Sequence, residues 1–144
     1  MSLLHLVSSL LAGLISWVAY HRERGQLRLD VEFHLETGKG TALLVLLVNR
    51  GRRRVSVRDV GLRLRSGEVL MNPGLTNPLV LEETDSREVR FPLYDYADRV
   101  HSPLDVTHAE ARDTSGRRYR VSCRKLRSQI TKEWTSETDW LSRA

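Results

Sequence analysis

The chain has 144 residues and a formal charge of +5, from 23 Lys and Arg against 18 Asp and Glu. A hydrophobic share of 40% and a charged share of 28% are ordinary globular values. They exclude a collagen-like chain, a disulfide-rich mini-protein, a polytopic membrane protein and a wholly disordered tail. The length suits one domain, or one small domain plus an anchor.

No Lys, Arg, Asp or Glu occurs between Met1 and Tyr20. The apolar stretch carries Leu3, Leu4, Leu6, Val7, Leu10, Leu11, Leu14, Ile15, Trp17, Val18 and Tyr20. As a helix it would be roughly 27 Å long, against a hydrocarbon core of about 30 Å. Trp17 and Tyr20 stand at its end, where amphipathic rings favour the headgroup level. His21-Arg22-Glu23-Arg24 then stops the run. The expectation is a single N-terminal transmembrane helix over residues 1–24, with membrane lipid as its partner. Two rivals stay open. A cleaved signal peptide wants a basic start and small residues at the cut, and Trp17-Val18-Ala19 is a poor cleavage site. A buried amphipathic helix is allowed by His5, Ser8, Ser9 and Ser16. For a span, Arg22, Arg24 and Arg28 place the C-terminal domain in the cytoplasm, and the lone Cys123 agrees with a reducing compartment. Ser9 and Gly13, and Ser8, Ala12 and Ser16, are small residues at spacings that let helices approach.

From Gln26 the period changes. Leu27, Leu29, Val31, Phe33 and Leu35 alternate with polar residues, the signature of a half-buried strand. Thr37-Gly38-Lys39-Gly40 predicts a turn. Ala42 to Val48 is continuously apolar, as in a central strand buried on both faces. Leu44, Leu46 and Val48 are expected to share a core with the five apolar residues of the first strand. Asn49-Arg50-Gly51 is turn chemistry, in which Asn and Gly tolerate positive φ. Val55, Val57, Val60, Leu62 and Leu64 slip by one, which predicts a bulge near Arg58-Asp59.

Val69–Met71, Leu79–Leu81 and Val89–Phe91 read as short strands, and Tyr94 to Val100 as one or two helical turns. Val106–Arg112 and Arg118–Cys123 flank the hairpin turn Asp113-Thr114-Ser115-Gly116. Leu126, Ile130 and Trp134 lie at i, i+4 and i+8, so residues 125–144 form a helix or a flexible tail. Seven or so short strands without helical crossovers predict a mainly β, antiparallel sandwich over residues 25–124.

The segment from Leu46 to Leu62, with Asn-x-Gly followed by Val-x-Val-x-x-Val-Gly, resembles strands two and three of bacterial immunoglobulin-like or fibronectin-like domains. Ala111 to Tyr119 is similar to their final hairpin. The resemblance extends to small single-span bacterial membrane proteins that carry such a domain. It implies an immunoglobulin-like β-sandwich and brings no catalytic residue.

Chemistry is sparse. His101, Asp105 and His108 form the one tight grouping, short of the ligand set a zinc site needs, so no metal or cofactor is expected. There is no Gly-x-Ser-x-Gly, Walker loop or dinucleotide turn. Cys123 reads as a small apolar filler, and Asp95 and Asp98 as a solvated face. No enzymatic activity and no small-molecule substrate are expected.

Basic clusters are more informative. Arg50, Arg52, Arg53 and Arg54 crowd one turn, with Arg58 beyond it. Arg117, Arg118, Arg120, Arg124, Lys125 and Arg127 form a second cluster. Charged strands protect sheet edges, but such clusters also contact anionic partners. Strand pairing is expected to bring the two clusters to one face. With only Tyr119 interleaved there is no stacking platform for nucleic acid. The expected function is a membrane-anchored, non-catalytic binding or scaffolding module that engages a protein partner. The alternative is a soluble or peripheral basic domain that binds anionic lipid or nucleic acid.

Overall fold

The computed structural model describes residues 3–23, 26–36 and 40–130. Helix α1, Leu3–Glu23, precedes eight strands. These are β1 Leu27–Glu36, β2 Gly40–Asn49, β3 Val55–Leu64, β4 Val69–Met71, β5 Leu79–Leu81, β6 Ser86–Pro92, β7 Val106–Asp113 and β8 Arg118–Ser122. The first sheet has the order β1-β2-β6. The second has the order β4-β3-β7-β8, with β5 also paired to β3. Every pairing is antiparallel. Crossovers from β2 to β3, β5 to β6 and β6 to β7 wrap the two sheets around one apolar core.

The alternation in β1 sends Leu27, Leu29 and Val31 into that core and leaves Arg28, Asp30 and Glu32 outside. Register fixes the phase of β2. Leu29 faces Leu47, Val31 faces Val45 and Phe33 faces Leu43. The inward residues of β2 are therefore Leu43, Val45 and Leu47, each fully buried. This corrects the expected set of Leu44, Leu46 and Val48 by one residue. A strand apolar on both faces has no pattern from which its phase can be read. Leu44 is buried all the same, on the outer face between Glu32 and Arg90, whose aliphatic stems can cover it.

The register shifts between Val57 and Asp59, where the slipped alternation predicts a bulge. The extra residue keeps Val55 and Val57 inward together with Val60, Leu62 and Leu64. The hairpin turn closes on Gly116 at φ +86°. The predicted helical turns after Tyr94 are a single 3-10 turn, Leu93–Tyr96. A second 3-10 turn, Pro103–Asp105, has a capping box in which Ser102 and Asp105 each cap the other's backbone. Residues 124–130 are helical and bury Leu126 and Ile130 beside Cys123. The predicted turn at 37–39 and the predicted stripe residue Trp134 lie outside the described residues.

The transmembrane expectation is corrected. Among the described residues no helix is long and apolar enough to cross a membrane. Helix α1 runs from Leu3 to Glu23, but Arg22 and Glu23 close it, and its uncharged part from Leu3 to Tyr20 is about 27 Å long at 1.5 Å per residue against a core of about 30 Å. His5, Ser8, Ser9 and Ser16 interrupt even that length. The single-pass assignment falls, and the cytoplasmic orientation that depended on it falls as well.

Candidate functional site

Two basic surfaces emerge from this frame. The first lies at the end of the sandwich where α1 joins it. The turn after β2 is held by Asn49, which is fully buried. Its amide nitrogen donates to the carbonyls of Arg53 at 2.8 Å, Leu81 at 3.1 Å and Glu82 at 3.1 Å, and its Oδ1 accepts from Gly51 N–H at 3.0 Å. Asn49 thus acts as a clamp, and neither it nor Gly51 has the positive φ that turn chemistry suggested.

The β7–β8 hairpin docks beside this turn, with Thr114 N–H donating to Ser56 O at 2.8 Å. Between them is a hollow of about 470 Å³ lined by Tyr20, Arg53, Arg54, Asp113, Arg117 and Tyr119, among others. Asp113 organises the hairpin by accepting from Ser115 Oγ at 2.6 Å, Arg117 N–H at 2.9 Å and the Tyr119 hydroxyl at 3.0 Å. Burial pushes its carboxyl up, but these donors outweigh burial and hold it below the ordinary aspartate value. Burial, and then Asp113, push the Tyr119 hydroxyl up. The Arg117 guanidinium lies over the Tyr119 ring, 5.3 Å from its centroid, a cation–π contact.

The second surface is the outer face of the second sheet. Register sets Asp59 beside Arg112, Gly61 beside Glu110, and Arg63 beside His108. On β8, Arg118 faces Arg112 and Arg120 faces Glu110. A groove of about 470 Å³ runs across Asp59, Arg63, Glu110, Arg112, Arg118 and Arg120, bordered by Val69 and Met71 of β4. Gly61 lets β4 lie close. A Cβ there would meet Val69 Cγ1 at 2.9 Å and Leu70 O at 3.0 Å.

Glu110 binds two guanidiniums at once. Arg63 donates to it from Nε at 2.5 Å and from Nη2 at 3.3 Å, and Arg120 Nη2 lies 2.9 Å away. The hydrogen bond from Arg63 is the leading cause that holds the Glu110 carboxyl below its usual value, and the same bond raises Arg63. Asp59 is taken by Arg58 at 3.0 Å. Among the described residues, neither Arg112 nor Arg118 has an ion-pair partner.

The fold thus brings Arg53 and Arg54 to Arg117, while Arg50 and Arg52 stand exposed on the same turn. Arg118 and Arg120 lie on the sheet face. Arg124 borders a separate hollow with Thr107, His108, Ser122 and Arg127, beyond the far end of β8, and Lys125 is exposed in the helical segment. Sequence reasoning missed Arg63, Glu110 and Arg112. Alternation in β7 marks Glu110 and Arg112 as outward, but only the β3–β7 register joins them to Arg63.

Leu3 and Leu4 belong to the backbone of α1. The other anchor candidates, from Leu6 to Tyr20, are all exposed on it. Asp105 accepts from the N–H groups of His101 and Ser102. Among the described residues no cluster of three His, Cys, Asp or Glu side chains could hold a metal ion. Cys123 is buried, and burial pushes its thiol up to about 11, so it is a poor nucleophile at neutral pH. Neither protein-family models nor curated proteins give a match to the chain.

Proposed function

We propose that the chain is a non-catalytic binding module whose β-sandwich engages an acidic segment of a partner protein on the outer face of the second sheet. The observation that carries this reading is Arg112 directly opposite Arg118, with neither in an ion pair among the described residues, the neighbouring Asp59 being held by Arg58. Like charges facing each other across strands oppose folding. The repulsion is relieved when an anion binds between them, and guanidinium forks take carboxylates in bidentate fashion. Val69 and Met71 offer apolar contact to a neighbouring side chain of the same segment. Two antiparallel sheets packed around one core form a scaffold suited to presenting such a face. Nucleic acid is disfavoured because Tyr119, the one aromatic lining the groove, is half-buried with its hydroxyl on Asp113.

The test pairs binding with stability. An oligoglutamate peptide titrated into the labelled protein should shift backbone amide resonances of β7 and β8 at low salt. The shifts should fade at high salt. The double variant Arg112→Ser, Arg118→Ser should lose this binding. It should also unfold later, by about 0.2–1 kcal/mol, because the repulsion is gone. Unchanged peptide binding, or a variant less stable than the parent, would assign the two arginines a structural role and sink the proposal.

A further inference from the structure

We infer that α1 lies along an anionic lipid surface, embedded in one leaflet without crossing it, with the basic end of the sandwich at headgroup level. This rests on observations separate from the peptide groove. At about 100° per residue, the bulky side chains of α1 gather on one half of the helix, from Leu6 through Leu10, Leu14 and Leu11 to Ile15. His5, Ser8, Ser9, Gly13 and Ser16 gather on the other. The helix is amphipathic in size and polarity, although it has no charge between His5 and Tyr20. Nothing in the sandwich covers the bulky face. Leu10, Leu14 and Ile15 are 68%, 62% and 64% exposed. A contiguous apolar face of this kind marks an interaction or membrane site. The hydroxyls of Ser8 and Ser9 donate to the His5 carbonyl at 3.0 and 2.9 Å, which lowers the cost of holding that side near hydrocarbon.

Charge complementarity selects the occupant. Tyr20, at the end of α1, lines the same hollow as Arg53, Arg54 and Arg117, and Arg52 stands exposed beside them. A helix about 10–12 Å across that lies in the headgroup region keeps these arginines within about one Debye length of the lipid phosphates. An apolar helix joined to a basic patch supplies the two signals that stable peripheral attachment requires. A second copy of the chain would cover the apolar face equally well, but it would bring another basic end to the same place. Anionic lipid satisfies both features together.

The experiment uses the full chain and sedimentation with phosphatidylcholine vesicles, with and without phosphatidylglycerol. Binding should be tighter to the anionic vesicles, and inorganic phosphate should not compete. Replacing Arg52, Arg54 and Arg117 by Ser should weaken anionic binding by about fivefold for each arginine and leave neutral binding unchanged. Leu10→Ser with Leu14→Ser should abolish both. These side chains are exposed, so an unchanged melting curve confirms that each variant folds. Bound Trp17, isolated as the difference from Trp17→Phe, should be quenched by lipids brominated near the headgroup. Four results each overturn the proposal: equal binding to both vesicles, no binding, a discrete oligomer that ignores vesicles, or an N terminus protected from external protease.

Discussion

Replacing Phe91 with alanine is expected to lower stability by about 3–5 kcal/mol, the usual range for a fully buried Phe. Phe91 has no exposed surface, lies on the edge strand β6 opposite Leu43 of the central strand β2, and has its ring 6.4 Å from that of Tyr96. A domain of this size has about 5–15 kcal/mol in all, so the variant should sit near its unfolding threshold. Equilibrium urea denaturation gives the measurement, as a drop in midpoint at constant slope. Phe33→Ala provides the internal comparison. Phe33 packs against the core but is only partly buried, so it should cost less than Phe91. A larger loss at Phe33 than at Phe91 would contradict the register of β1 on β2.

The second large effect belongs to Asn49. Asn49→Ala removes the donor for three backbone carbonyls and the acceptor for Gly51 N–H. Each buried group left unsatisfied costs about 1–3 kcal/mol; with partial compensation by water the total should be about 2–4 kcal/mol. Asn49→Asp should be worse at neutral pH, because a buried carboxylate would face the same carbonyl oxygens. The pH dependence has a definite sign. Burial and those carbonyls raise the folded pKa of the new Asp above its unfolded value near about 3.9. The penalty is therefore full above the folded pKa and recedes as pH falls toward the unfolded one. Thermal melts of the Asp variant should approach those of the Ala variant in acid. A pH-independent gap between the two would show that residue 49 has water access.

Strand existence was legible wherever one face of a strand meets solvent. Leu27 to Val31 alternate, and the slip after Val57 announced its bulge. The phase of β2 was not legible, because Leu43 and Leu44 are equally apolar and only pairing with β1 distinguishes them. Asn49 looked like a turn residue, since its type suits both a turn and a buried clamp. The clamp depends on carbonyls at Leu81 and Glu82, far away in sequence. For the same reason half of the basic groove was missed. Arg118 and Arg120 announce themselves by clustering, whereas Arg63 meets Glu110 only through a pairing 47 residues apart. The N-terminal helix was legible as a helix but its fate was not. A mean over the charge-free run hides the segregation of small polar from bulky apolar side chains that appears once they are placed around a helix axis.

The position of Cys123 gives the protein a chemical clock of its own. The residue is 2% exposed, where β8 ends and the helical segment 124–130 begins, and Leu126 and Ile130 are buried in the same cluster. An alkylating reagent should reach the sulfur when local opening exposes it, and a thiol raised to about 11 reacts slowly until it meets water. When reclosing outpaces reaction, the alkylation rate counts the equilibrium population of the open state. The sequence can thus report the opening of the helical segment after β8 at one site, with no label introduced and no second sulfhydryl in the chain to confuse the count.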